Sequence, residues 1–129
     1  MDLMSEDEFF HRARHVPTEQ LKWNLANRKK IQVWIRRDDL IDPIISGNKF
    51  YKLFYNLHAA KNVGYRKILS FGGYYSNHLY ALAAAGFKYG FDTVGVIRGE
   101  RPKQFSQTLK DMQEFGMTLD FISRENYRT

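Results

Sequence analysis

Cysteine is absent from the 129 residues, which excludes disulfides, a thiolate nucleophile and thiolate metal ligation without fixing the redox compartment. Long apolar runs are missing as well. None approaches the roughly 20 residues of a membrane helix, and the start, MDLMSEDEFFHRARH, is acidic and then basic, not a charged start leading into an apolar stretch. A soluble, cytoplasmic protein is the resulting expectation. Internal repeats and low-complexity linkers are also lacking, as are zinc-finger spacings, an RNA-binding aromatic signature and the G-x-G-x-x-G of a dinucleotide site.

Apolar side chains are plentiful: they make up 43% of the chain, with ten Phe, eight Tyr and two Trp. That suffices for the core of one domain and argues against disorder. Twenty Lys and Arg against fourteen Asp and Glu give a net charge of +6, with basic residues gathered at Arg28, Lys29, Lys30, Arg36 and Arg37. A nucleic-acid partner is one reading of this charge. Attraction of an anionic metabolite or a phosphate-bearing cofactor explains it equally well, and Asp38 and Asp39 interrupt the basic run at once.

Residues 1–30 offer apolar anchors at Phe9, Phe10, Val16, Leu21, Trp23 and Leu25 but no clean period, and read as a short helix with an irregular lead-in. His11 and His15 have the i, i+4 spacing of metal ligands, yet no carboxylate or third histidine completes a set, so no metal site is expected. In IQVWIRRDDL, Ile31, Val33 and Ile35 alternate with Gln32, Trp34 and Arg36, which predicts a strand ending near Asp38. Asp42-Pro43 breaks regular structure, and Ser46-Gly47-Asn48 is turn chemistry suited to a helix cap.

From Lys49 onward, Phe50, Leu53, Phe54, Leu57 and Ala60 predict an amphipathic helix with Lys49, Lys52 and Asn56 on its opposite side. Lys67 to Phe71 reads as a strand entering a double-glycine bend. Ser76-Asn77 then caps a helix running to Tyr89, packed by Leu79, Leu82, Ala83 and Phe87 and stopped by Gly90. Thr93 to Ile97 predicts another strand. Pro102 opens a helix with Phe105, Leu109, Met112 and Phe115 inward, and Met117 to Ile122 predicts a final strand. The order from Lys49 is α-β-α-β-α-β, an α/β fold with an open parallel sheet and right-handed crossovers.

Ligands of such sheets bind beyond the carboxyl ends of the strands, where FGGYYSNH lies. Gly72 and Gly73 allow close backbone approach, and the free N–H groups of the following helix favour an anion. A tight turn with a plain helix cap accounts for the same residues. Lys49, likewise, reads either as a solvated lysine on a wet helix face or as a functional amine; spacing alone leaves both open.

Taken together, WIRRDDLIDPIISGNKFYKLFYNL, SFGGYYSNHLYALAAAG and TVGVIRGE resemble the N-terminal part of the pyridoxal-phosphate enzymes grouped as 1-aminocyclopropane-1-carboxylate deaminases and D-cysteine desulfhydrases, of the tryptophan-synthase-β-like fold (fold type II). The resemblance runs from about Gln32 to Arg128 and rests on several separated motifs. It implies that Lys49, the lysine of the GNK motif, is the Schiff-base residue and that Lys52 lies near the cofactor phosphate. It also implies that Ser76 and Asn77 meet the substrate carboxylate and the cofactor ring oxygen, with Ser76 a participant in proton transfer or nucleophilic attack. His78 matches the variant in which histidine follows SN, and stands with Ser76 and Asn77 at the substrate.

A lysine condenses with an aldehyde only when neutral, and a helix N-terminus and a second lysine both work against its charge. Released by the substrate, Lys49 would then serve as a base, while the carboxylate grip fixes which Cα bond stands perpendicular to the cofactor plane.

Further expectations follow from the resemblance. The substrate is a small amino acid, and the full-length form is a homodimer. Residues 1–45, with the strand Gln32 to Arg37, belong to a larger, mostly absent domain, and 46–129 form the small α/β domain that carries the cofactor lysine and the Ser-Asn loop. The strand is therefore expected as a poorly covered edge or paired with another chain. Family members are much longer, so a fragment with weak or no turnover is expected. Tyr51 departs from the pattern, since the family often has arginine there. A non-catalytic small-ligand or interaction domain and a basic nucleic-acid-binding domain are the alternatives.

Overall fold

The computed structural model describes residues 2–128. Its organising element is a three-stranded parallel sheet, formed where β-branched and aromatic runs alternate with amphipathic helices. The strands are β3 (Lys67–Gly72), β4 (Asp92–Arg98) and β5 (Thr118–Ile122), in the order β3-β4-β5. Leu69 lies opposite Val94 and Phe71 opposite Val96, while Val96 in turn lies opposite Asp120. Helix α4 (Asn77–Tyr89) connects β3 to β4, and α5 (Gln107–Glu114) connects β4 to β5. Helix α4 lies over β3 and β4, between α5 and the helix that precedes β3, α3 (Asn48–Asn62). This is the expected α-β-α-β-α-β order and parallel sheet.

Burial explains the placement. Leu79, Leu82, Ile97, Leu109 and Met112 are the largest fully buried side chains, and the run Ala81 to Ala85 lets α4 approach its neighbours closely. The sheet face of β3 turned away from the helices is open, with Leu69 53% and Phe71 57% exposed. Phe87, expected inward on α4, is 70% exposed: the inward stripe runs through Leu79, Leu82, Ala83 and Gly86, and Phe87 falls one position past it. Helix α5 starts at Gln107 and not near Pro102, because Ser106 is the residue that accepts the Leu109 N–H at 3.2 Å.

Residues before the sheet fold onto it through α3. Helix α1 (Glu6–Arg14) is capped by Ser5 and buries Phe9, which stacks on Phe54 at 4.0 Å between ring centroids and on Phe50 at 5.3 Å. Phe9, Val16, Ile41, Phe50 and Phe54 make a second core, so α3 gives Leu53 and Leu57 to one core and Phe50 and Phe54 to the other.

The strand expected over residues 31–38 is limited to β2 (Trp34–Arg36), paired antiparallel with β1 (Thr18–Gln20) of the same chain. All six residues of this ribbon are exposed, so the edge is poorly covered, as expected, and the partner it has here is β1 of the same chain. Ile31 is 57% exposed and packs no core face. A short helix, α2 (Asn24–Arg28), sits between the two strands, and the chain turns through Asp38–Leu40 toward α3. Among the described residues no helix is long and apolar enough to cross a membrane.

Candidate functional site

The approach to Lys49 is fixed from below by Asp42. This buried carboxylate accepts the N–H groups of Ile44 at 3.0 Å and Ile45 at 2.8 Å on one oxygen, and the Arg12 guanidinium at 3.1 Å on the other. An aspartate before a proline folds this way because its side chain satisfies the backbone two and three residues on. Gly47 then takes φ 60°, a left-handed value that favours glycine, and its N–H donates to the Asp38 carbonyl at 2.8 Å. Helix α3 consequently begins at Asn48 with no side-chain cap; the Phe50 N–H turns back to the Gly47 carbonyl at 3.2 Å, and those of Asn48 and Lys49 stay available to a ligand.

Lys49 is the second residue of α3 and half-buried, and its Nζ donates to Asn48 Oδ1 at 2.6 Å. Lys52 follows one turn later, exposed. Across from them, β3 ends at Gly72, whose bare Cα lets Ser76 close over it. A Cβ there would stand 2.5 Å from Ser76 Oγ and 2.8 Å from Leu79 Cδ1. Ser76 caps α4, accepting the Leu79 N–H at 3.2 Å. The loop is held from behind by Tyr74, whose hydroxyl donates to the Glu100 carbonyl and whose own carbonyl accepts the Ser106 hydroxyl at 2.9 Å. Tyr75 beside it is 76% exposed.

These elements bring Lys49 and Asn77 onto one cleft of about 420 Å³, with Ser46, Gly47, Asn48 and Tyr80 among its walls. His78 opens instead onto the neighbouring groove of about 400 Å³ between α3 and β3, with Asn56, Lys67 and Ser70. The two are electrostatically joined: burial lowers the His78 pKa below its usual value, and the charges of Lys49 and Lys52 lower it further. Ser76 faces its own cap, and Lys52 lines neither cavity. His11 and His15 lie with ring centroids 4.2 Å apart, His15 Nδ1 being bonded to the His11 carbonyl at 2.7 Å.

Two residues that matter here escape the sequence. Asp42 had a signal, the Asp-Pro dipeptide, which reads only as a break. Ser70 interrupts an apolar strand, and its Oγ lies 2.8 Å from His78 Nε2; a polar residue on the helix side of such a strand is the only trace of that pairing.

No family model matches the chain. A protein of Pyrococcus horikoshii named provisionally as a 1-aminocyclopropane-1-carboxylate deaminase is 35% identical over 94 residues, covering 70% of this chain and 29% of its own length. A mitochondrial bifunctional D-cysteine desulfhydrase/1-aminocyclopropane-1-carboxylate deaminase of Arabidopsis thaliana is 29% identical over 120 residues, 88% of this chain and 30% of its own. The crystal structure of an ACC deaminase homologue superposes with a TM-score of 0.70 at 27% identity, over 92% of this chain and 38% of that one. The chain thus spans well under half the length of the relatives it matches. Likeness in sequence and in fold together place it with the 1-aminocyclopropane-1-carboxylate deaminases and D-cysteine desulfhydrases, as a match to part of their length.

Proposed function

We propose that these residues are the lysine-bearing part of a pyridoxal-phosphate-dependent lyase or deaminase that acts on a small amino acid, with 46–129 the domain that carries the site and 1–45 belonging to a larger one. The observation that carries this reading is that Lys49 and Asn77, far apart in the chain, line one cleft beside an uncapped helix start. The donor set suits the cofactor: a primary amine, free backbone N–H groups for an anion, and an amide for a ring oxygen. Gly73 adds to the fit. Its φ is ordinary and a Cβ there would meet nothing within 4 Å, so the fold does not need glycine at this position, whereas a flat ligand against the loop would.

In this reading Lys49 Nζ would hold the cofactor, the α3 N-terminus would meet its phosphate with Lys52 adding positive charge from outside the cleft, and Asn77 would steady its ring. Bound pyridoxal phosphate supplies an electron sink for the bond broken at the substrate Cα. The residues of the chain would do the rest: the Ser76 and Asn77 rim would orient the substrate carboxylate, and Lys49 Nζ would move the Cα proton.

Binding is tested without turnover. The purified chain, mixed with pyridoxal phosphate and reduced with borohydride, is expected to gain one phosphopyridoxyl mass on the peptide containing Lys49. Visible absorbance is expected to vanish in Lys49→Ala and persist in Lys52→Ala. Equal labelling of the Lys49→Ala protein overturns the reading.

A further inference from the structure

The polar pairing on the inner face of β3 has no role in the binding scheme above. Ser70 and His78 come from different elements, the middle of β3 and the first turn of α4, and meet at 2.8 Å between Oγ and Nε2. Both are half-buried and open onto the groove between α3 and β3. Among the described residues His78 makes no other hydrogen bond, so Nδ1 is left free.

We propose that Ser70 is a positioning residue that holds the His78 imidazole by Nε2 and so makes Nδ1–H the donor which the second loop offers to an anionic ligand. The 2.8 Å contact accommodates either direction, and donation from Ser70 is the one that leaves Nδ1–H as a free donor. Ser70 has one proton to give, and Nε2 is the acceptor within its reach among the described residues; Nε2 then carries a lone pair, and the ring's own proton sits on Nδ1. Free histidine prefers the opposite tautomer, with the proton on Nε2, so the arrangement is one the fold must impose. A neutral ring with Nδ1–H donates a hydrogen bond without adding a further positive charge to those of Lys49 and Lys52, which already repel it. What the donor meets rests on the cofactor reading; the tautomer and its dependence on Ser70 do not.

The experiment is long-range proton–nitrogen correlation NMR on the ¹⁵N-labelled full chain above the His78 titration range, with His78 assigned by its loss in His78→Gln. The expected spectrum has Nδ1 protonated and Nε2 bare. Ser70→Thr keeps the hydroxyl and is expected to keep that pattern. Ser70→Val keeps the branched shape without the hydroxyl, and is expected to move His78 to the Nε2-protonated form or a mixture. A wild-type ring protonated on Nε2, or identical spectra for the Thr and Val variants, overturns the proposal even where Lys49 binds pyridoxal phosphate. Failure of Lys49 to bind the cofactor leaves the tautomer result standing.

Discussion

The Tyr51 hydroxyl donates to Asp38 Oδ1 at 2.8 Å, and Arg36 closes the triangle, with Nε 2.8 Å from the same oxygen and Nη2 2.9 Å from the Tyr51 hydroxyl. Tyr51 stands where the resemblance leads one to expect arginine, and a guanidinium reaches Asp38 from β2. The Asp38 backbone carbonyl in turn receives the Gly47 N–H, so this triangle braces the turn that starts α3.

Removing the hydroxyl from that triangle has a calculable consequence. Burial raises the Asp38 pKa, but the hydrogen bonds from Tyr51 and Arg36 outweigh it and leave the carboxyl below its usual range. A depressed carboxyl pKa contributes stability above the unfolded value, and that contribution is lost as pH falls through the folded one. Tyr51→Phe is therefore expected to lose about 1 kcal/mol at neutral pH, read as a lower urea midpoint with an unchanged slope. The gap from wild type should narrow in acid, once Asp38 is protonated in both proteins.

The two neighbouring glycines separate fold from site. Alanine at Gly72 would press into Ser76 and Leu79, at a cost of about 1–3 kcal/mol as an overpacked contact. Alanine at Gly73 meets open space and should change stability by less than about 0.5 kcal/mol. Under the cofactor reading the order reverses in a binding titration: the stable Gly73→Ala protein loses affinity for pyridoxal phosphate. Unaltered affinity there would remove Gly73 from the site.

Much of this was legible in the sequence, and the failures have physical causes. Helices α3 and α4 and strand β3 carry readable periods because burial is uneven around them, and β4 reads as a continuous apolar run because both of its faces are covered. The β1-β2 ribbon buries neither face: Thr18-Glu19-Gln20 shows no alternation, and its pairing with Trp34 to Arg36 is set by distant partners that no local pattern encodes. Pro102 looked like a helix start, but the cap is Ser106, which also ties α5 to the Tyr74 carbonyl. At the candidate site, motif positions singled out Lys49 and Asn77, and the structure adds the cleft that both line. The Ser70–His78 pair depends on how α4 lies over β3, which no residue spacing specifies.

Ser76 and Ser106 cap their helices alike, each accepting an N–H three residues on at 3.2 Å. Alanine at either should cost about 1 kcal/mol, measured by thermal or urea unfolding. Under the cofactor reading, only Ser76→Ala should also weaken the response of the chain, mixed with pyridoxal phosphate, to a small amino acid such as 1-aminocyclopropane-1-carboxylate. Equal loss from both variants would reduce Ser76 to a cap.

His78 titrates below its usual range because burial and two lysines act in the same direction. Burial, then Lys49, then Lys52 hold its pKa below the usual 6.5, and Lys67 of β3 lines the same groove. Folding therefore favours the neutral ring. The stability it contributes is whole above the unfolded value near 6.5 and is lost as pH falls through the lower folded pKa. Lys49→Ala and Lys52→Ala should each raise the His78 pKa, as should added salt, because both weaken the same repulsion. The rise should stop short of the usual value in either variant, since burial is the larger cause and survives both substitutions. Proton NMR of the His78 ring against pH reads all three effects. A pKa indifferent to both lysines would mean that they do not share a site with His78, and the electrostatic link between the two loops would fall with it.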